Sequence, residues 1–311
     1  MCSIDITVVF ATYNGIKTLP RVVDALSKIE FPRQRWKVVA IDNNSTDGTG
    51  EFLRSFAGRL PIEVYHEPRQ GKSFAMNRGL DHVEGQLAVL IDDDIIPEPD
   101  WLDRYWDIAQ REKDYDVFGG AILPDWPRQP EQWILDWVPL GSTFAINENL
   151  KSGPVSPKNV WGGNSAFRSK IIFDGCRFDE SIGPSGAPLY AMGNDTNFAI
   201  RAAGQNAMAF HCADARVRHI IREKQMAEDW IVKRAERLAL GNLKYNPHLV
   251  SKHTRIAGVP YTLWVRYFIL YFLLPVLKML PKSKFRYWRL RNFYFIRGII
   301  STIKSKRNAA R

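Results

Sequence analysis

Cysteine is scarce in this chain of 311 residues, and no two cysteines lie close together in the sequence. Cys2, Cys176 and Cys212 form no C-x-x-C pair, so their spacing argues against both a disulfide framework and a thiolate metal site. This usage fits a protein of the reducing cytosol. The first residues also lack the basic start of a secretory signal, and the apolar run Ile4–Phe10 is short enough to be interpreted as a strand.

Long uninterrupted apolar runs are also missing. The longest, Tyr267–Leu277, has 11 residues, which is roughly 16 Å as a helix against a hydrocarbon core of ~30 Å. We therefore expect this run to be too short to span a membrane. The chain is still 45% hydrophobic and 12% aromatic, which is enough apolar material for a large folded core and excludes a disordered protein.

Acidic residues are absent from the last part of the chain. Residues 237–311 hold 16 Lys and Arg and no Asp or Glu, whereas residues 1–236 hold 27 basic and 33 acidic residues. The basic tail also carries aromatic and aliphatic clusters at 267–274 and 293–296. This mixture favours an anionic membrane surface over nucleic acid as the partner. We expect no nucleic-acid partner and a cytoplasmic protein, peripheral on the inner face of the membrane; a helical hairpin packed on the body is the alternative.

Two common nucleotide-binding motifs are absent. No G-x-G-x-x-G follows the first predicted strand, which argues against a dinucleotide dehydrogenase. The stretch Gly71-Lys72-Ser73 looks like the end of a P-loop, but His66 stands where the first glycine of that motif belongs.

Three consecutive carboxylates, Asp92, Asp93 and Asp94, are the most chemically informative feature that is present. They follow the apolar run Leu87–Ile91, which is typical of a buried strand. Adjacent negative charges repel one another, so they favour a site where a cation compensates them. If the strand geometry persists, Asp92 and Asp94 face the same way and would suit Mg²⁺ or Mn²⁺. A solvated acidic turn is the alternative.

The first part of the chain alternates short β-branched runs with amphipathic stretches, which predicts an α/β fold with a mainly parallel sheet flanked by helices. Predicted strands cover 4–10, 37–41, 62–65 and 87–91, and predicted helices cover 18–29, 46–55 and 73–83. Ligands of such sheets bind beyond the carboxyl ends of the strands. There, Tyr13 could stack on a base and Asp42 could accept a hydrogen bond from a nucleoside, although ordinary turn chemistry also explains 42–48.

Together these motifs resemble the family 2 glycosyltransferases, inverting enzymes of the GT-A type fold that use nucleotide-sugar donors. The resemblance rests on residues 10–14, 41–49, 71–79 and 92–94, which occur in family order and at family spacing. It implies a metal-dependent enzyme that uses Mn²⁺ or Mg²⁺. The residues expected to bind the donor are Thr12, Tyr13, Asn14, Asp42, Lys72, Asn77, Asp92 and Asp93. The residues expected to hold the metal are Asp94, Asp92 and His219.

Two later stretches extend the resemblance to the acceptor side. Residues 161–168 look like the family's glycine pair, where missing side chains would let a sugar approach the backbone; a tight turn is the alternative. By resemblance Asp195 is the catalytic base, although a carboxylate in the first turn of a helix is also common. The family often has Glu before this Asp, where this chain has Asn194. The residues expected to contact the acceptor are Trp161, Gly162, Gly163, Asn164 and Asn194.

The predicted organisation is a GT-A type catalytic domain over 1–245 and a basic, aromatic, helical tail over 246–311 that associates with membranes. Within the first, residues 1–123 would bind the nucleotide sugar and 124–245 the acceptor. The chain lacks the Gln-x-x-Arg-Trp motif of processive synthases, so we expect transfer of one sugar, with a uridine diphosphate sugar favoured, to a lipid-linked or saccharide acceptor. A nucleotidyltransferase on a similar sheet and a non-catalytic binding protein are the alternatives.

Overall fold

The computed structural model describes residues 4–186, 190–204, 207–245 and 255–309. The strands are β1 (Ile6–Thr12), β2 (Trp36–Asp42), β3 (Ile62–His66), β4 (Leu87–Leu90), β5 (Ile95–Pro97), β6 (Val117–Asp125), β7 (Gly153–Val155), β8 (Ser165–Arg168), β9 (Ala209–Ile220), β10 (Arg255–Ile256) and β11 (Val259–Pro260). The α-helices are α1 (Leu19–Leu26), α2 (Thr49–Arg54), α3 (Lys72–Leu80), α4 (Trp101–Arg111), α5 (Gln132–Trp137), α6 (Leu140–Phe144), α7 (Ser169–Phe173), α8 (Asn194–Ala203), α9 (Glu228–Tyr245), α10 (Tyr261–Met279) and α11 (Lys284–Ala309).

Nine strands form one sheet, in the order β3-β2-β1-β4-β8-β6-β9-β5, with β7 paired to β9. All four predicted strands and all three predicted helices of the first part are present, with ends shifted by a few residues. β1 to β4 pair in parallel, and the register sets Thr12 opposite Asp42 at the carboxyl edge. The sheet therefore brings the polar residues after β1 and β2 together, as the sequence predicts.

The second half of the sheet is mixed, so the predicted parallel pairing holds only in part. β8 runs antiparallel to both β4 and β6, and β5 runs antiparallel to β9. The antiparallel pair of β5 and β9 sets Ile95 opposite His219. A histidine far along the chain is thereby placed beside the turn that holds the three aspartates.

Alternate strand residues feed two cores, one on each face of the sheet. Val8 and Phe10 pack with the apolar faces of α1 and α4, whereas Val9 packs with α3 and with Phe198 of α8. Side chains of a strand point alternately to its two faces, so a sheet covered on both sides needs apolar residues at nearly every position. This explains why all seven residues of β2 are buried.

The chain packs as two compact units whose limits differ from the predicted domains. The first unit comprises 1–125, 144–186 and 194–221; the second comprises 126–143, 187–193 and 222–311. Residues 144–186 and 194–221 therefore pack with the predicted donor half. The predicted boundary at 245/246 adjoins residues 246–254, which lie outside the described residues, so the division into functional domains stays a prediction.

Helix α11 of the second unit packs closely along α9. A Cβ at Gly298 would lie 2.5 Å from the carbonyl oxygen of Glu236, so only glycine allows this approach. The Glu236 carboxylate accepts hydrogen bonds from the Arg297 guanidinium, and Ile299 packs on Ala239 and Leu243. The segment without acidic residues, 237–311, begins within α9 and continues through α11. The interface between these two helices therefore holds its first and last parts together.

Helix α10 is longer than the apolar run Tyr267–Leu277 that it contains. It has 19 residues, a mean hydropathy of 1.4 and only 11% of its most apolar stretch buried. At 1.5 Å per residue this is about 28 Å, so the expectation that the segment is too short to span a membrane is wrong on length. Among the described residues it is the one helix long and apolar enough to cross a membrane, by length and composition only.

Candidate active site

The three consecutive aspartates lie in a turn and bind three different partners. β4 ends at Leu90, so the strand geometry does not persist and the alternation expected for Asp92 and Asp94 does not apply. Asp92 pairs with Lys72, the Thr12 hydroxyl donates to Asp93 Oδ2 at 2.5 Å, and Asp94 faces His219. The turn therefore ties β1, α3 and β9 to one point at the edge of the sheet.

Lys72, the first residue of α3, lies between two carboxylates that are far apart in the sequence. Its Nζ is 2.5 Å from Asp92 Oδ1 and 3.3 Å from Asp195 Oδ2. The backbone N–H of Lys72 donates to the Pro184 carbonyl at 2.8 Å. The donor-binding, metal-binding and catalytic residues predicted on separate motifs thus meet in one cluster.

Burial and charge shift the pKa values of this pair. Burial alone would lower the pKa of Lys72, but the negative charges of Asp195 and Asp92 outweigh it and raise that pKa. Burial raises the pKa of Asp195, and the charge of Asp92 adds to this, while Lys72 opposes it; the net direction is upward. A carboxylate with a raised pKa is a better proton acceptor than an ordinary aspartate.

Gly162 makes the position of Asp195 possible. A Cβ at Gly162 would lie 2.2 Å from Cγ of Asp195 and within 2.6 Å of both carboxylate oxygens. The missing side chain therefore admits the carboxylate, where the sequence predicted room for a sugar. At Gly163 a Cβ would meet Ile95 Cδ1 at 3.2 Å, so this glycine packs against the core, as does the half-buried Trp161.

Two residues predicted to contact the acceptor are buried and have other roles. Asn164 is 1% exposed; its Oδ1 accepts from the Trp101 indole and the Tyr105 hydroxyl, and its Nδ2 donates to the carbonyls of Ala121 and Ala215. Its hydrogen-bonding capacity is used up within the fold, so the prediction for Asn164 is wrong.

Asn194 is the second of these residues. It begins α8, is buried, and its Nδ2 donates to Asp195 Oδ1 at 3.2 Å. Because it is covered and turned toward its neighbour, we correct its role from acceptor contact to orientation of Asp195.

Asp94 and His219 form the part of the cluster that fits a divalent cation. His219 Nε2 is 3.6 Å from Asp94 Oδ2, and Nδ1 is 2.6 Å from the Phe144 carbonyl oxygen. A carbonyl only accepts, so Nδ1 carries a proton and Nε2 faces the carboxylate, the arrangement typical of metal-binding histidines. Burial lowers the pKa of His219, but Asp94 and the Phe144 carbonyl outweigh it, so the net shift is upward.

A metal at this point would need further ligands besides these two side chains. Within the described ranges, no three His, Cys, Asp or Glu side chains cluster closely enough to hold an ion by themselves. Two protein ligands with further positions left to phosphate oxygens are common for Mg²⁺ and Mn²⁺. Asp94 and His219 could therefore supply two ligands of such a cation, whereas Asp92 is engaged by Lys72.

The predicted nucleoside-binding residues surround the loops after β1 and β2. Tyr13 is 51% exposed, so its ring is accessible for stacking. Asp42 is buried and its Oδ1 accepts from the Ser45 N–H at 3.0 Å. Asn14, at a positive φ of 52°, accepts from the Thr46 N–H and so joins the two loops. The structure brings these three residues together.

Asn77 and Asn43 both organise backbone near the site. The Asn77 amide donates to the Phe178 carbonyl and accepts from the Phe178 N–H, so it holds residues 178–180 and is not directed at a ligand. Asn43 is 2% exposed; it donates to the carbonyls of Glu67 and Arg69 and accepts from the Gly71 N–H. Sequence reasoning missed Asn43, although an amide directly after a buried strand and Asp42 was a signal for it.

Comparison with known proteins identifies relatives that match the part of the chain containing these motifs. The model of the family described as "Glycosyl transferase family 2" matches residues 7–173, more than half of the chain. The glucosyl-dolichyl phosphate glucuronosyltransferase of Haloferax volcanii is 24% identical over 204 residues, which cover 64% of this chain and 63% of that protein. The match thus spans less than two thirds of the relative's length.

Solved structures agree on the fold. The mannosyltransferase PcManGT of Pyrobaculum calidifontis, in complex with GDP-Man and Mn²⁺, superposes with a TM-score of 0.63 at 19% identity, over 98% of this chain and 90% of that one. TarS 1–349 of S. aureus, in complex with UDP-GlcNAc, gives a TM-score of 0.57 at 17% identity, over 98% and 92% of the two chains. These matches confirm the predicted α/β fold of the GT-A type.

Proposed function

Because the chain belongs to glycosyltransferase family 2, we propose that it transfers one sugar from a nucleotide-diphosphate sugar to a hydroxyl of a lipid-linked or saccharide acceptor, with inversion at the anomeric carbon. The observation that carries this proposal is the cluster in which Lys72 joins Asp92 to Asp195 beside the Asp94 and His219 pair. It combines one raised-pKa carboxylate with a cation and a metal-binding pair, which is the set of groups that such a transfer needs.

Asp195 is the base. An acceptor hydroxyl must lose its proton as its oxygen bonds to the anomeric carbon and the bond to the diphosphate breaks. Asp195 Oδ2 accepts that proton, and the hydrogen bond from Asn194 to Oδ1 keeps the carboxylate oriented toward it. Gly162 leaves the carboxylate accessible, since any side chain there would displace it.

The donor lies along the carboxyl edge of the sheet. Tyr13 stacks on the base, Asp42 accepts from the nucleoside, and the Lys72 ammonium attracts the diphosphate. The residues that would hold Mn²⁺ or Mg²⁺ are Asp94 and His219, with Asp92 nearby; when bound, the ion neutralises charge on the departing diphosphate. A uridine diphosphate sugar is the favoured donor.

A membrane-proximal acceptor fits the second unit. α10 exposes many large apolar side chains, and residues 237–311 contain 16 basic and no acidic residues. This composition supports a peripheral position on the cytoplasmic face of a membrane, with the basic tail on anionic headgroups. The relative from Haloferax volcanii is named for a glucosyl-dolichyl phosphate substrate, which makes a lipid-linked acceptor the favoured choice here.

Release of nucleoside diphosphate from a panel of nucleotide sugars tests the proposal. Each sugar is incubated with the full chain, with and without Mn²⁺ or Mg²⁺, and the assay compares wild type with Asp94→Ala. We expect one donor to be consumed, the divalent ion to be required, and the variant to lose that stimulation.

Asp174→Asn is the matched control, because Asp174 is exposed at the end of α7 and contributes nothing to the cluster. Consumption of a nucleoside triphosphate together with a sugar phosphate would replace the proposal with a nucleotidyltransferase. Binding of nucleotide sugars without turnover on any lipid or saccharide acceptor would favour a binding protein.

A further inference from the structure

A groove of about 630 Å³ runs between α10 and α11 in the second unit. Its walls are mostly aliphatic and aromatic and include Ile269, Leu273, Leu277, Phe285 and Ile296. The volume lies within the range of pockets that hold small ligands. Three of the wall residues, Ile269, Leu273 and Phe285, remain 43–59% exposed, so the surrounding described chain leaves the groove open.

Two guanidinium groups line the same groove. They belong to Arg266 of α10 and Arg289 of α11, and Asn292 is close by on the wall. No carboxylate belongs to the lining, and within the described part of the chain neither arginine is in an ion pair. By contrast Arg286, one turn before Arg289, is paired with Glu228 at 2.9 Å.

Arg289 also stacks over the ring of Phe285, 5.0 Å from its centroid, which holds the guanidinium at the apolar wall. An apolar groove that carries positive charge and has no carboxylate in its lining is complementary to an anionic amphiphile. We infer that this groove binds a single phosphate-bearing lipid, with its hydrocarbon chain along the apolar walls and its phosphate at Arg266 and Arg289. The inference rests on the proposed transfer to a lipid-linked acceptor and names the place where the lipid part is held.

Charge argues against a second copy of the chain as the occupant. The tail that would enter the groove from a second copy carries the same 16 basic residues and no acidic ones over 237–311, so it would bring like charge to Arg266 and Arg289. A flat membrane surface differs as well, because it would contact the outward side chains of α10, such as Phe272 and Met279, which are 74% and 86% exposed and do not line the groove.

Calorimetric titration of the full chain with farnesyl phosphate, kept below its aggregation concentration, tests this inference. We expect saturable binding of one molecule per chain, at least tenfold weaker binding of farnesol because it lacks the phosphate, and no binding of inorganic phosphate alone.

Leu273→Asn should weaken farnesyl phosphate binding at least fivefold by placing an amide on the apolar wall. Arg289→Gln should also weaken farnesyl phosphate binding, because it removes a cation. Arg289 is exposed, so we expect this variant to fold normally.

Matched controls lie on α10, outside the groove. Phe272→Asn and Lys278→Gln change an exposed apolar and an exposed basic residue of α10, and we expect wild-type affinity from both. Equal losses in groove and control variants, no binding of farnesyl phosphate, or a dimer that Leu273→Asn dissociates would each overturn the inference. Since no sugar is transferred in this measurement, its result is independent of the donor assay, and either proposal can fail while the other stands.

Discussion

The aspartate cluster of the first unit and the α10–α11 groove of the second differ in whether their charged groups have partners and whether their apolar surface is covered. In the cluster, Lys72 is within 4 Å of two carboxylates and His219 is within 4 Å of a third. In the groove, Arg266 and Arg289 have no carboxylate beside them in the lining. Helix α10 also exposes large side chains such as Phe272.

The difference follows from the cost of each arrangement. A partly buried charge without a partner is destabilising by several kcal/mol, so the ion pairs of Lys72 and His219 with the carboxylates stabilise the cluster. Burial of apolar surface contributes about 25 cal/mol of stabilising free energy per Å², so α10 is stabilised when something covers it. The charged side chains of the first region are therefore held largely by ion pairs within the fold, whereas the apolar surface of the second favours a partner from outside.

The largest effect should come from Asp195→Asn. Asparagine keeps the shape of the side chain but cannot take up a proton, and a general base contributes typically ~10²–10⁴-fold to a rate. We expect a fall in kcat of this size with donor affinity retained, measured by sugar transfer and by nucleotide binding. A variant that kept more than a tenth of the wild-type kcat would remove Asp195 from the role of base.

The glycine pair offers the next test of how tightly the cluster is built. In Gly162→Ala the new methyl group would overlap the Asp195 carboxylate, and a misplaced catalytic group costs on the order of 10²-fold in rate. In Gly163→Ala the methyl group meets the flexible ends of Ile95 and Ile122 at 3.2 and 3.4 Å, so we expect a much smaller loss. Circular dichroism checks folding in both, and equal losses would contradict the separation of their roles.

The pH dependence of kcat/KM for the donor sharpens the electrostatic half of the comparison. Burial raises the pKa of Asp195 and Lys72 opposes that rise, and a base works only when deprotonated. Wild-type activity should therefore fall, as pH decreases, at a pH above the ordinary aspartate range. In Lys72→Gln the opposing cation is gone, so the acid limb should move to higher pH, while Lys72→Arg should stay nearer wild type. An acid limb that does not move would mean that Lys72 does not control this carboxylate.

The smallest effect is expected for Phe272→Asn on binding to vesicles that contain anionic lipid. Burial of a large apolar side chain is worth at least ~1.5 kcal/mol, so its loss should weaken partitioning by about tenfold or more when measured by co-sedimentation. Phe173→Asn is the control, since Phe173 is also exposed but belongs to the first unit. Equal partitioning of the two variants would show that α10 does not face lipid.

Much of the fold could be predicted because its signals are local. The apolar runs at the four parallel strands and the polar residues directly after them fix the carboxyl edge, and the register of β1 and β2 puts Thr12 beside Asp42 as expected. One cluster brings together predicted site residues from distant parts of the sequence: Asp92, Asp94, Lys72, Asp195 and His219.

What the sequence could not provide are contacts between distant segments. Asn164 resembles a surface amide in a glycine-rich turn, and only the packing of Trp101 and Tyr105 against it reveals a core residue. The sequence around Gly162 predicts room for a sugar, because nothing in its neighbours indicates that Asp195 comes within 2.6 Å of the position of its missing side chain. The sequence understates the length of α10, because Arg266 interrupts the apolar run without interrupting the helix.

The close approach of α11 to α9 at Gly298 limits how this chain could be shortened or exchanged with its relatives. Removal of the residues after Tyr245 would expose Ala239 and Leu243 of α9 and leave the carboxylate of Glu236 without Arg297. A shortened protein would then lose solubility for reasons unrelated to lipid, and its failure would say nothing about membranes. Single substitutions on the outer side of α10 leave the interface between α9 and α11 intact. This interface makes the tail part of the folding unit and not an exchangeable module.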